Sequence, residues 1–188
     1  MVINGKTLLG YKPIREMLAQ KMRDHGVSFG LAEAGYDIRL KQDITFTPKK
    51  WWQFWKFSEI KVTQQIPKED WEYAEHFNLP LKETEISFGR FCLASAIEEF
   101  TMPPDLVGVV HDKSTWARQG VSVFNTVIEP GWQGFLTLEI VFHGNQPVHI
   151  PAGAGIAQVL FHKVSEPAQY NGKYQHQADK PVESKWEK

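Results

Sequence analysis

Between His111 and Glu139 the chain reads HDKSTWARQGVSVFNTVIEPGWQGFLTLE. The small hydroxyl residues Ser114 and Thr115 stand between two cations, Lys113 and Arg118. Such a cluster suits phosphate oxygens, because Arg offers a planar fork of donors, Lys a point charge and the hydroxyls short donors. Glu139 lies within the alternating run Phe135 to Phe142. On a strand, Leu136, Leu138, Ile140 and Phe142 share one face, and Thr137, Glu139 and Val141 share the other. A carboxylate in so apolar a strand is costly to bury without a partner. Desolvation would raise its pKa and ready it for proton transfer near neutral pH. An ion pair with Arg118 or Lys113 would satisfy the same residue, and spacing leaves the two roles equally open.

Other chemistry-bearing residues are weaker signals. His111-Asp112 is a lone dipeptide with no helical histidine pair beside it, which is poor support for a metal site. Gly153-x-Gly155 lacks the third glycine of a dinucleotide loop, and the run IAQVLF after it reads as a strand, so a β-turn is the better reading. Cys92 sits in an apolar strand-like run and reads as a buried, inert thiol. Residues 51–57, WWQFWKF, hold five aromatics in seven positions, with Lys49, Lys50 and Lys56 at hand. They read either as a stacking platform for bases or as a hairpin insertion packed on the core or on a neighbouring subunit.

The elements that must position these residues are mostly strands. Pro13 to Asp24 has helical spacing in Ile14, Met17, Leu18 and Met22 and predicts a short N-terminal helix stopped by His25-Gly26. From Tyr36 the period falls to two, and Tyr36–Leu40 reads as a strand. Ile86–Ile97 follows, broken by Gly89, and then Leu106–Val110, Val121–Ile128, Phe135–Phe142, Val148–Ile150 and Ile156–Val164. Turns at Pro103-Pro104-Asp105, Glu129-Pro130-Gly131, Gly144-Asn145 and 151–155 separate them. Many short strands with regular turns predict a barrel or sandwich of mostly β character. Lys68 to Asn78 is helix-compatible. Gln169 to Lys188 is too polar to build core and is expected either to fray or to fold over something.

Composition narrows the possibilities. The 188 residues suit a single domain over 1–188. Lys and Arg number 21 against 22 Asp and Glu, so bulk charge attracts neither nucleic acid nor a membrane surface, and an anion must be held locally. The single cysteine excludes an intrachain disulfide and any zinc site that needs two cysteines, including the Cys-x-x-Cys site of common nucleobase deaminases. No signal-type apolar run opens the chain and none approaches ~18 apolar residues, so a cytoplasmic protein is expected.

Taken together, the motifs resemble the dCTP deaminases, which share a fold with the trimeric dUTPases. The family's Ser-Tyr-Asp-Leu-Arg-Leu segment is echoed by Gly35-Tyr36-Asp37-Ile38-Arg39-Leu40, and its Leu-Pro-x-Asp-Leu-Val-Gly by Met102 to Gly108. Its Gly-Arg-Ser-Ser-Leu-Ala-Arg-x-Gly signature is similar to Asp112 to Gly120. Its Asp-Pro-Gly-Phe/Trp-x-Gly turn and following Thr-Leu-Glu are matched by Glu129 to Gly134 and Thr137-Leu138-Glu139. Pro151 to Phe161 resembles the Pro-Gly-x-x-Ile-Gly-Gln strand. The tail residues Tyr170-Asn171 and Lys173 to Gln177 resemble Pro-Tyr and Ser-Lys-Tyr-Gln-x-Gln. The likeness covers most of residues 35–40 and 86–177.

The resemblance implies a dUTPase-like distorted β-barrel or jelly-roll-like fold, with a mobile tail over about 169–188 that closes on nucleotide. It implies a homotrimer with active sites between subunits and zinc-independent hydrolysis of dCTP to dUTP and ammonia. Glu139 would be the general acid/base, Ser114 would position the water, and Arg118 would orient Glu139 and the phosphates. Lys113, Thr115, Tyr170, Lys173 and Gln177 would hold the triphosphate with its Mg²⁺. Trp132 would pack near the sugar, Glu129 would face the 3′-hydroxyl, and Thr137 would also touch substrate. The chain departs from the family in three places. Lys113 replaces an arginine, Glu129 replaces an aspartate, and the segment after Gly120 is shorter by about two residues. That length suits many dUTPases, so a bifunctional enzyme forming dUMP, a dUTPase, and a catalytically silent nucleotide-binding protein remain open. Neither a membrane nor a nucleic-acid partner is expected.

Overall fold

The computed structural model describes residues 1–53, 55–66 and 70–186. Phe54 of the aromatic stretch, Lys68 and Glu69 of the helix-compatible segment, and Glu187 and Lys188 of the tail lie outside the described residues.

The chain begins with β1 (Val2–Ile3), α1 (Gly5–Tyr11), β2 (Lys21–Asp24), β3 (Val27–Ala32), β4 (Gly35–Arg39) and β5 (Asp43–Thr47). It continues through β6 (Glu59–Gln65), α2 (Trp71–His76), β7 (Lys82–Phe88) and β8 (Phe91–Thr101). β9 (Leu106–Asp112), α3 (Ser114–Ala117), β10 (Val121–Val123) and β11 (Val127–Ile128) follow. β12 (Gln133–Phe142), β13 (Val148–Ile150) and β14 (Gly155–Lys163) close the series. The expectation of a mostly β fold holds. One seven-stranded sheet runs β11-β9-β14-β4-β3-β2, with β1 also on β14. A three-stranded sheet runs β10-β12-β8 and a four-stranded one β13-β5-β6-β7. Among the described residues none of these sheets closes on itself through hydrogen bonds. One apolar core draws on all three, Phe46 of β5 stacks on Phe142 of β12 at 4.6 Å and 12°, and the Lys41 N–H donates to the Ser95 carbonyl of β8 at 2.9 Å.

The N-terminal helix is not where periodicity put it. Residues 5–11 are helical, whereas the segment from Pro13 is irregular up to β2. Pro13 has no N–H and constrains the residue before it, and Lys12 ends α1 with φ 50° while its N–H caps the Leu8 carbonyl. The backbone beyond is claimed by β8: the Thr101 N–H donates to the Pro13 carbonyl and the Arg15 N–H to the Glu99 carbonyl, each at 2.8 Å. Ile14 is thereby buried by sheet pairing, not by a helix face. The strands of the second half lie close to their expected limits. Val121–Ile128 is split, because residues 124–126 leave the ladder between β10 and β11.

That split matters for the site. β12 is the middle strand of its sheet, and β10 covers only its C-terminal end, from Val121 opposite Phe142 to Val123 opposite Ile140. The other half of that edge is open to another segment, and the tail takes it. The Phe135 N–H donates to the Gln177 carbonyl at 3.1 Å, and the His176 N–H to the Gln133 carbonyl at 2.9 Å.

Candidate active site

Glu139 projects from the middle of β12, opposite Leu93 of β8. Leu138, Ile140 and Phe142 fill the core behind it. Thr137 and Glu139 share the face that lines a cavity of about 410 Å³. Among the described residues the Glu139 Oε2 is buried and has no hydrogen-bond partner. Burial pushes the carboxyl above its usual range, because the charged form is removed from water without a compensating cation. Neither ion pair that spacing allowed is formed within the chain. Lys113 instead pairs with the buried Asp37, which also accepts from the Ser28 hydroxyl at 3.1 Å.

The turn at Glu129-Pro130-Gly131 and the tail build the opposite wall. Trp132 is buried and its indole N–H donates to the Tyr174 carbonyl at 2.7 Å. The Gly131 carbonyl accepts from the side-chain amides of Gln169 and Gln175 at 3.0 and 2.9 Å. The Tyr170 N–H donates to the Pro130 carbonyl at 2.8 Å. Gly134 lets the tail come this close: its φ is +134°, and a Cβ there would stand 2.5 Å from the Gln177 nitrogen. Farther along, the Val182 N–H donates to the Thr137 hydroxyl at 3.1 Å, so the end of the tail lies directly over the face that carries Glu139.

Of the residues singled out in the sequence, Glu129, Trp132, Thr137, Glu139, Tyr170 and Gln177 line this one cavity. Ser114, Thr115 and Arg118 do not. They sit exposed on or just after α3, which Trp116 anchors by donating its indole N–H to the Gly155 carbonyl at 2.7 Å. Lys173 is also outside, tied to Lys185 through reciprocal side-chain-to-backbone bonds. Sequence reasoning missed several lining residues. Phe91 and Leu93 come from β8, two residues apart on the strand paired with β12. Tyr174 lies in a tail motif that the sequence did display. Val182 and Ser184 carried no signal, since their place depends on how the tail folds back. Phe124 is exposed beside Phe91, with ring centroids 6.3 Å apart, and its N–H donates to the Glu139 carbonyl at 3.0 Å.

Cys92 is buried next to this wall, and its thiol is pushed up to about 12 by burial. Asp112 accepts from the Ser122 hydroxyl at 2.9 Å and from the Val123 N–H at 2.7 Å, which ties the end of β9 to β10. Residues 151–155 form the expected turn, closed by the Ala154 N–H on the Pro151 carbonyl at 3.1 Å. Among the described residues no three His, Cys, Asp or Glu gather to hold a metal ion, and no helix is long and apolar enough to cross a membrane.

Comparison with known proteins gives a consistent picture. The family described as dCTP deaminase-like matches residues 9–164. A dCTP deaminase of Roseiflexus castenholzii is 33% identical over 172 residues, covering 89% of this chain and 88% of that protein. One from Campylobacter jejuni strain RM1221 is 34% identical over 180 residues, covering 92% and 89%. Among solved structures, a 2′-deoxycytidine 5′-triphosphate deaminase from Agrobacterium tumefaciens superposes with a TM-score of 0.50 at 15% identity, covering 87% of this chain and 48% of that one. At that identity the likeness is one of fold.

Proposed function

Because the chain belongs to the dCTP deaminase-like family, we propose that it hydrolyses dCTP to dUTP and ammonia with Glu139 as general acid/base. The observation that carries this reading is the Glu139 Oε2, buried without a partner among the described residues on the wall of a cavity of about 410 Å³. A free acceptor there is suited to a water and to the cytosine ring. As the water oxygen adds to C4, Glu139 takes a proton from it and delivers one to N3. In the collapse, the second proton of the former water passes by way of Glu139 to the amino nitrogen, and the C4–N bond breaks. The proton held at N3 stays, leaving the uracil ring and neutral ammonia. A carboxyl held above its ordinary pKa is matched to both directions of transfer near neutral pH.

The exposed α3 cluster supports a site completed between copies of the chain in a homotrimer. Ser114 from a neighbouring copy would position the water, and Arg118 would orient Glu139 and the phosphates. Lys113, Thr115, Tyr170, Lys173 and Gln177 would hold the triphosphate, with Trp132 on the sugar, Glu129 at the 3′-hydroxyl and Thr137 at the substrate edge. Mg²⁺ travels with the triphosphate oxygens and needs no protein ligand set. With a single cysteine in the sequence, no two-cysteine zinc site can form, and the route we propose runs through side chains. The chain would act as one unit in the cytoplasm, its tail closing the cavity. A second reading, further cleavage of dUTP to dUMP, draws on the short link at 124–126 between β10 and β11.

The test is incubation with dCTP and, separately, with dUTP, each with Mg²⁺, with products resolved by ion exchange. Appearance of dUTP and ammonia from dCTP is expected. Production of dUMP from dCTP would establish the second reading. Turnover of dUTP alone would make the protein a dUTPase, and nucleotide binding without turnover would make it a silent module.

A further inference from the structure

The described aromatic rings of the turn between β5 and β6 stand largely in solvent. Trp51 is 88% exposed, Trp52 50%, Trp55 65% and Phe57 74%. Phe88, at the end of β7, extends the same surface with its ring 6.5 Å from that of Phe57 and is itself 68% exposed. Apolar rings displayed together on a protruding turn mark an interaction site, since scattered exposure does not concentrate them so. Lys49, Lys50 and Lys56 are exposed among them, and residues 48–58 contain no Asp or Glu. A chain of net charge −1 thus carries three exposed lysines together at its most aromatic point.

We propose that this turn docks the protein on anionic phospholipid surfaces. Tryptophan prefers the boundary between headgroup and acyl chain, where an apolar ring and a polar N–H are both accommodated. Lysines beside it are drawn to an anionic leaflet. The geometry disfavours the other occupants. Stacked bases need open, parallel ring faces, whereas Trp51 and Trp52 meet edge-on at 89° and Lys50 lies over the Trp52 face at 5.2 Å. A dry protein interface excludes lysine from its centre, whereas here Lys56 stands between Trp55 and Phe57 in the chain and Lys50 lies over the Trp52 ring. The net charge also places the attraction in the turn, not in the molecule as a whole.

The experiment is co-sedimentation of the full chain with phosphatidylcholine vesicles, with and without phosphatidylglycerol, read alongside the tryptophan emission maximum. Sedimentation with the anionic vesicles only, with a blue shift and with weakening by salt, is expected. Lys49→Gln with Lys50→Gln should weaken partitioning roughly fivefold per lysine. Trp51→Ser with Phe57→Ser should abolish it while circular dichroism and dCTP binding stay unchanged, since these rings are exposed and outside the cavity. No sedimentation with either vesicle would overturn the proposal, as would equal binding to both. Binding to single-stranded oligonucleotide without vesicle binding would reassign the turn to nucleic acid. A change in oligomeric state in the Trp51/Phe57 variant, without vesicle binding, would reassign it to a subunit contact.

Discussion

Gly134→Ala should undock the tail from the cavity. Gly134 has a φ of +134°, a region that costs a residue with a Cβ roughly 1–3 kcal/mol of strain. The added Cβ would also stand 2.5 and 2.7 Å from the Gln177 nitrogen and oxygen, which are backbone atoms and can clear it only if the tail moves. Three hydrogen bonds depend on that approach: Phe135 N–H to the Gln177 carbonyl, His176 N–H to the Gln133 carbonyl, and Gln133 N–H to the Gln175 side chain. At about 1 kcal/mol each, their loss shifts the docked-to-undocked ratio by roughly 10²-fold. Trypsin cleavage at Lys173 and Lys185 should accelerate accordingly, and the Trp132 emission should change as its N–H leaves the Tyr174 carbonyl. Deleting residues 173–188 in both backgrounds separates the two effects. In the shortened chain Gly134→Ala should cost only the backbone strain. Unchanged protection of the tail in Gly134→Ala would refute the argument that this glycine exists for the tail's approach.

Two further outcomes follow from titratable groups. Because burial raises the Glu139 pKa, its carboxylate is lost at a higher pH than an ordinary glutamate's. The acid limb of the kcat/KM profile should therefore lie above the usual carboxylate range, and a limb at or below that range would show a solvated Glu139. Cys92, buried and with its thiol near 12, should not react with Ellman's reagent at pH 8 until the chain is unfolded in urea. Rapid labelling of the folded protein would mean that the strand around it opens readily.

Much of this arrangement is legible in the sequence, for identifiable reasons. Period-two burial along Phe135–Phe142 is local, so the sequence displays both the core face and the face that carries Glu139. Gly89 and the 151–155 turn are likewise local punctuation. The sequence puts the N-terminal helix too late because Ile14, Met17 and Leu18 satisfy a helical period, while the partner that claims the backbone of residues 13–15, the end of β8, lies more than eighty residues away. The site follows the same rule. Glu129, Trp132 and Glu139 are close in sequence, and one motif run displays all three. Phe91, Leu93, Val182 and Ser184 reach the cavity only through tertiary pairing. The α3 cluster was grouped with Glu139 by motif, yet within one chain it faces solvent, and Lys113 is held by Asp37. An aromatic run such as 51–57 gives no direction from sequence, because core, interface and displayed tip share one composition.

The central claim is that Glu139 moves the protons of deamination. Its sharpest test is ammonia release from dCTP by Glu139→Gln, measured beside dCTP affinity in the same preparation. The substitution keeps size and shape and removes only the ability to accept a proton. A fall in kcat of at least about 10²–10⁴-fold is expected, the range for loss of a positioned general base. Affinity should stay within about tenfold, roughly 1.4 kcal/mol. Undiminished ammonia release from the variant would contradict the account and take Glu139 out of the mechanism.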